Sequence, residues 1–282
     1  MATVLSGKEV TAALNASLSA RCAALLAYGI RPCLAIVRLG QEPGDIAYER
    51  GAMKRAEAVG VAVRQYVLPR TASQEELLAV IREINEDTSV HGALLLRPFP
   101  VQIDDRTVRN ALRAEKDMDG ITDASLAGVF TNTPCGYAPC TAEACMAVLD
   151  HYGIDPAGMR TTVIGRSLVI GKPIAMMLLR RNATVTICHT RTKDMAREIR
   201  RAELVIAAAG QPKMVTADML KDGQILIDVG VNVDEEGNLC GDADYEAAGQ
   251  LDLSITPVPG GVGTVTSSVL MRHVIEAAES LR

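Results

Sequence analysis

The chain has no tryptophan, two phenylalanines and six tyrosines in 282 residues, so its cores must be built from aliphatic side chains. Histidine is nearly as scarce. His91, His151, His189 and His273 show no metal-ligand spacing, and neither a metal site nor a catalytic histidine is expected. The cysteines number seven, an odd count, and include no C-x-x-C pair. That argues against a disulfide framework and for a reducing cytoplasm. No basic run with interleaved aromatics occurs, so nucleic acid is not an expected partner. No apolar stretch reads as a membrane span and MATVLSGKEV does not read as a secretory leader, so no membrane association is expected.

What is present fits an ordinary globular chain. Hydrophobic residues make up 48%, charged residues 22%, and the net charge is −5. The length suffices for two domains, each with its own core. Strand patterns at 33–40, 61–69 and 91–96 alternate with helical patterns at 8–28, 46–59 and 73–85. Ser73 followed by Glu76 is a capping-box signature. Such alternation predicts a parallel α/β sheet. A helix is predicted over 104–112, no clear periodicity is found over 123–140, and Thr141 is expected to cap a helix over 142–152. Strands at 161–165, 183–188, 203–208 and 224–229 follow, with helices at 171–181 and 193–201 and an amphipathic helix at 267–281.

The chain is organised around TTVIGRSLVIGKP, residues 161–173. An apolar strand turns at Gly165-Arg166-Ser167 and enters a helix at Gly171, with Pro173 in its first turn. Strand, glycine turn and helix aim free N–H groups and a helix dipole at a phosphate. The spacing is G-x-S-x-x-x-G, not G-x-G-x-x-G, and an ordinary βα turn is the alternative. The next strand ends in Cys188-His189-Thr190-Arg191, without the acid that would hold an NAD ribose. Arg166, Thr190 and Arg191 suit a 2′-phosphate instead, so NADP is expected over NAD. AAAGQP (207–212) puts Ala209, Gly210 and Pro212 on a small-residue platform at a strand end, where a ring can approach the backbone. PVPGGVG (257–263) packs Pro259, Gly260 and Gly261 into another such loop, with a plain tight connection as the alternative. Asp117 and Asp119 flank Met118; a carboxylate there can receive N–H donors from a planar ring or cap the next element. Tyr48 stands one turn into the helix over 46–59, and its plain reading is an amphipathic surface tyrosine.

KDMDG (116–120), PCT (139–141), GRSLVIGKP (165–173) and PVPGGVG (257–263), in this order and spacing, resemble the methylenetetrahydrofolate dehydrogenase/cyclohydrolases of the FolD type. GALLLRPFP (92–100), AGQP (209–212), DVGVN (228–232, with Val231) and GDADY (241–245) extend the resemblance over essentially the whole chain. It implies an N-terminal α/β folate-binding catalytic domain (1–140, with the C-terminal helix 264–282 returning to it) and a Rossmann-like NADP-binding domain (141–263). The family oxidises 5,10-methylenetetrahydrofolate by hydride transfer to NAD(P), and most members then hydrolyse the methenyl product to 10-formyltetrahydrofolate. Its members are dimers with folate in a cleft between the domains. The resemblance assigns Asp119 to the pterin and Tyr48 to stacking on the folate, as the catalytic pair. Leu96, Pro259, Gly260 and Gly261 are assigned to the substrate. Gly165, Arg166, Ser167, Gly171, Thr190, Arg191, Ala209, Gly210, Pro212 and Val231 are assigned to the cofactor.

The chain departs from the family where the second chemistry lies. The lysine one turn beyond the tyrosine is Ala52, the glutamine that contacts it is Leu96, and a serine before the tyrosine is Asp45. Thr264 and Ala142 replace two prolines. Opening the methenyl bridge with water needs a group that moves protons. Hydride transfer needs placement more than titration. Lys54 lies about 200° around the helix from Ala52, and Arg97 does not release its proton. The expectation is an NADP-dependent dehydrogenase with weak or absent cyclohydrolase. Two alternatives are a bifunctional enzyme in which Asp45 or a water chain serves, and an idle binding protein.

Overall fold

The computed structural model describes residues 2–280. In chain order the elements are β1 (Thr3–Val4), α1 (Gly7–Ala27), β2 (Cys33–Leu39), α2 (Pro43–Val59), β3 (Ala62–Leu68), α3 (Gln74–Glu86) and β4 (Gly92–Leu95). Then follow α4 (Asp105–Ala111), α5 (Asp123–Thr131), α6 (Cys140–His151), β5 (Arg160–Ile164), α7 (Gly171–Arg180), β6 (Thr184–Cys188) and α8 (Met195–Arg201). The last are β7 (Leu204–Ala207), β8 (Ile225–Asp228), β9 (Asn232–Val233), β10 (Leu239–Cys240), α9 (Tyr245–Ala248), β11 (Ser254–Ile255) and α10 (Val262–Glu279). Contacts group Met1–Ala12 with Thr141–Thr266 and Ala13–Cys140 with Ser267–Arg282.

In the unit built mainly on residues 13–140, three parallel strands run in the order β3-β2-β4. The central strand β2 is apolar nearly throughout because a parallel strand is covered on both faces. Its core is aliphatic, with Val37, Leu77, Ile81, Ile84, Leu95 and Val108 packed together. The capping box of α3 forms as read: Ser73 Oγ accepts from Glu76 N–H (3.2 Å) and Glu76 Oε2 accepts from Ser73 N–H (2.7 Å).

The other unit carries a six-stranded parallel sheet, β1-β11-β8-β7-β5-β6. Its core joins Ile164, Ile199, Val205, Leu226, Leu253 and Ile255. The α/β class and the Rossmann-like half are as expected. The first twelve residues, expected with the N-terminal domain, group with this unit because Thr3 and Val4 pair in parallel with Ser254 and Ile255.

Several local expectations are corrected. The stretch 123–140 contains α5, capped by Thr122, whose Oγ1 accepts from Ser125 N–H (3.0 Å). That helix buries Ser125 and Gly128 and leaves Phe130 74% exposed, so it has no apolar stripe to read. A Cβ on Gly128 would collide with the Cys135 carbonyl, which is why glycine sits mid-helix. Thr141 lies inside α6 rather than capping it. The last helix starts at Val262, not 267, directly after the glycine-rich loop; of the expected span, residue 281 lies outside the described residues. The two-residue strands and α9 are too short for periodicity to show. By length and composition α1 is long and apolar enough to cross a membrane, which corrects the reading that no stretch is. In α1, 22% of that apolar window is buried, and Val10, Leu18, Cys22 and Leu25 are among its buried side chains.

Candidate functional site

Two groups of candidate residues assemble, one in each unit. In the unit with the six-stranded sheet, a cavity of about 460 Å³ opens at the carboxyl ends of β5, β6 and β7. Gly165, Arg166, Ser167, Thr190 and Ala209 line it, together with His189, Gln211, Met195 and Met214, which sequence reasoning missed. The ends of parallel strands are where α/β sheets take ligands. Gly165 has φ +122 and a Cβ on it would meet the Ala208 carbonyl, so only glycine lets the turn lie against the end of β7. Gly171 packs against the Gly165 carbonyl and does not line the cavity. Ser167 Oγ accepts from Ile170 N–H (3.1 Å) at the start of α7. His189 Nδ1 accepts from Arg191 N–H (3.1 Å), and His189 N–H donates to Thr192 Oγ1 (2.8 Å), which holds the turn after β6. Arg191, Gly210, Pro212 and Val231 are not among the lining residues. The Arg166 cation and the Ser167 and Thr190 hydroxyls fit a phosphorylated nucleotide, and no carboxylate is among the described residues that line the cavity to repel one.

Behind this cavity lies a pair of buried carboxylates, Asp228 and Asp242. Burial pushes Asp228 up to about 6, against the hydrogen bonds it accepts from Ala243, Asp242 and Gly230. The motifs DVGVN and GDADY therefore meet in space. No spacing rule reveals this, because the pair is made by β8 and the segment that follows β10.

In the other unit, the loop after the short turn at 114–116 separates the two acids that the sequence left undecided. Asp117 holds the turn ahead of α5, whose cap is Thr122: Oδ1 accepts from Ile121 N–H (3.0 Å) and Oδ2 from Thr122 N–H (2.8 Å). Asp119 is free of that duty. Gly120 has φ +63, and a Cβ on it would meet Pro139 N at 2.5 Å, so the Asp119 loop lies against the PCT segment. Removal from water pushes the Asp119 carboxyl up to about 6, and hydrogen bonds from Cys140 and the charge of His273 oppose the rise. His273 Nδ1 donates to the Met118 carbonyl (2.7 Å), and so does Cys140 Sγ (3.1 Å), which pins the peptide before Asp119. The ring of Tyr137 packs on His273 at 4.8 Å between centroids. Neither His273 nor Cys140 was anticipated at the site; the PCT motif was the available signal for Cys140.

Tyr48 projects from α2 with 39% of its surface exposed, and burial of its hydroxyl followed by the Asp119 charge raises its pKa. The hydroxyl thus stays protonated, a donor beside an acidic acceptor. Ala52 and Leu96 are 2% and 5% exposed and carry no titrating group. Lys54 lines a different cavity, with Arg31, Arg50 and Gln65, which Tyr48 and Asp119 do not line. Arg97 is engaged bidentately by Asp105 (2.5 and 2.7 Å). Asp45, one turn before Tyr48, has its pKa raised by burial. In the second glycine-rich loop, Gly260 has φ +107 and its carbonyl accepts from Gly7 N–H (2.9 Å). A Cβ on Gly261 would meet the Pro257 carbonyl.

Residues 5–119 match the catalytic domain of tetrahydrofolate dehydrogenase/cyclohydrolase, and residues 139–282 match its NAD(P)-binding domain. The bifunctional protein FolD of Moorella thermoacetica is 44% identical over 277 residues, 98% of this chain and 99% of that protein. The crystal structure of the bifunctional FolD from Campylobacter jejuni superposes with a TM-score of 0.97 at 36% identity, covering all of both chains. The Trypanosoma brucei FolD, solved with NADP cofactor and inhibitor, has a TM-score of 0.93 at 32% identity, covering 100% of this chain and 99% of that one. With both domains matched and full-length relatives of this identity, the chain belongs to the tetrahydrofolate dehydrogenase/cyclohydrolase family.

Proposed function

We propose that this chain oxidises 5,10-methylenetetrahydrofolate to the 5,10-methenyl form with NADP as hydride acceptor. The observation that carries the reading is the pairing of Asp119 and Tyr48 beside Cys140 in a chain whose other unit holds a cavity lined by Arg166, Ser167 and Thr190. Asp119, ionised above about pH 6, accepts N–H donors of the pterin. Tyr48 offers a ring face and a hydroxyl that keeps its proton. Hydride leaves as the folate nitrogen lone pair closes a C=N bond, so the protein supplies orientation, not a base. Arg166, with Thr190 and Arg191 at the end of β6, supports a preference for NADP over NAD. A folate substrate, a homodimer and a location in a reducing cytoplasm complete the proposal. The seven cysteines, none of them in a disulfide, support the last of these.

For the hydrolytic step, two observations point in opposite directions. Full-length relatives named bifunctional favour a chain that also makes 10-formyltetrahydrofolate. Asp45, lifted by burial and one turn from Tyr48, is the group that would serve. Against this, Ala52 and Leu96 leave no amine–amide pair at the bridge, which favours a dehydrogenase with weak or absent cyclohydrolase. One experiment separates them: both steps are assayed on a single preparation, with NADP and with NAD, for the natural chain and Asp45→Ala. Methenyl hydrolysis well above the uncatalysed rate and lost in Asp45→Ala establishes the bifunctional reading. Hydrolysis at the uncatalysed rate beside active oxidation establishes the single activity. No oxidation with either nucleotide overturns the proposal, and a kcat/KM favouring NAD overturns its cofactor preference.

A further inference from the structure

Asp242 is fully buried and accepts four hydrogen bonds on its two oxygens. Oδ2 takes the N–H groups of Ala209 (2.5 Å) and Gly210 (3.0 Å). Oδ1 takes the N–H of Gln211 (3.0 Å) and the side-chain amide of Asn232 (2.9 Å). Three consecutive backbone N–H groups of one loop therefore converge on one carboxylate. That loop follows β7, and its Ala209 and Gln211 line the cavity assigned above to the nucleotide.

The carboxylate is itself held from behind. Asp228 Oδ1 accepts from Asp242 N–H (3.0 Å) and Oδ2 from Ala243 N–H (2.9 Å). Asp228 N–H donates to Thr256 Oγ1 (2.7 Å). Neither neighbouring glycine has room for a side chain: a Cβ on Gly230 would meet Asp242 Oδ1, and one on Gly241 would meet Asp228 Oδ2. The only apolar side chain of the 209–211 loop is the Ala209 methyl, which is partly buried against the core. Without a buried acceptor its three N–H groups would point at water in many conformations.

We infer that Asp242 is a positioning residue for the cofactor: it shapes the 209–211 loop into the wall of the nucleotide cavity before the nucleotide arrives. The inference rests on that cavity being the nucleotide site. Charge-assisted bonds to backbone N–H are among the stronger ones, and ordering a loop in advance spares the binding step that entropy. Asparagine at 242 keeps the shape but offers one acceptor oxygen and adds an NH2 group facing N–H donors, so the loop is released without a cavity.

The test compares the natural chain, Asp242→Asn and Asp244→Ala. Asp244 Oδ1 accepts from Ala247 N–H at the start of α9 and makes no bond to the 209–211 loop, so its loss reports general destabilisation. NADP binding is measured by calorimetry, KM for NADP and for the folate by kinetics, and hydrogen exchange at 209–211 without cofactor. Asp242→Asn is expected to weaken NADP binding at least tenfold, leave KM for the folate within twofold, and strip protection from the 209–211 amides. Asp244→Ala is expected to lower Tm and leave NADP binding within twofold. A folded Asp242→Asn chain that binds NADP like the natural one overturns the inference. If that variant does not fold, the natural chain decides: the three amides must be protected without NADP, and exchange at open-loop rates overturns it. Failure of the natural chain to bind NADP at all would instead remove the reading of the cavity.

Discussion

At the scale of single residues, the two acids of the KDMDG loop show how position divides labour. Both are aspartates two residues apart. Asp117 spends its oxygens on backbone N–H groups and turns the chain into α5. Asp119 makes neither of those bonds; it takes hydrogen bonds from Cys140 and bears the cost of burial. Its folded pKa, about 6, lies above the ordinary carboxylate value of 3.8. The folded state therefore binds the proton more tightly than the unfolded chain does. The stability this contributes is complete below about pH 4 and is lost as pH rises through about 6. Asp119→Asn, which does not titrate, should therefore gain on the natural chain in urea midpoint between pH 4.5 and 7.5. A difference that does not change with pH would contradict this origin of the shift. The ligand sees the opposite trend: folate affinity of the natural chain should fall as pH drops below about 6, because the protonated carboxyl has lost acceptor capacity.

At the scale of elements, helices with end signals in the sequence were legible and those without were not. The α3 helix shows its cap, its apolar stripe of Leu77, Ile81 and Ile84, and its length at once. Ser73→Ala should lower stability by about 1 kcal/mol, seen as a lower urea midpoint with both kinetic constants unchanged; no shift would mean that the box adds nothing in this context. The α5 helix escaped because its buried face is made of Ser125 and Gly128. Such a face packs by close backbone approach, which leaves no hydrophobic period. The start of α10 escaped for a related reason, since Val262 and Gly263 look like a continuation of the loop. Hydrogen bonds from Thr264 N–H (3.1 Å) and Oγ1 (2.8 Å) to the Gly261 carbonyl help form the first turn.

At the scale of the whole molecule, the chain folds as two units, each with its own parallel sheet and aliphatic core. One of those sheets ends in β3, an edge strand whose Val67 is 53% exposed. An open edge with an apolar residue is a surface that chains commonly cover. The proposed homodimer predicts a sedimentation mass of twice 30.0 kDa at micromolar concentration. A mass of one chain under those conditions would refute it.

The sequence by itself determined the class of fold, the family, the glycine turn that begins the nucleotide unit, and the identity of positions 52 and 96 as alanine and leucine. All of these are local patterns or residue identities, which a linear string preserves. Tertiary structure alone decided which of two aspartates turns the chain toward α5, that His189 lines the cavity at the ends of β5, β6 and β7, and that DVGVN, GDADY and AGQP form one hydrogen-bonded assembly. A buried carboxylate such as Asp242 is satisfied by backbone N–H groups more than thirty residues away in the chain. Backbone donors carry no residue signature, so such a partnership exists only once the strands have brought the segments together.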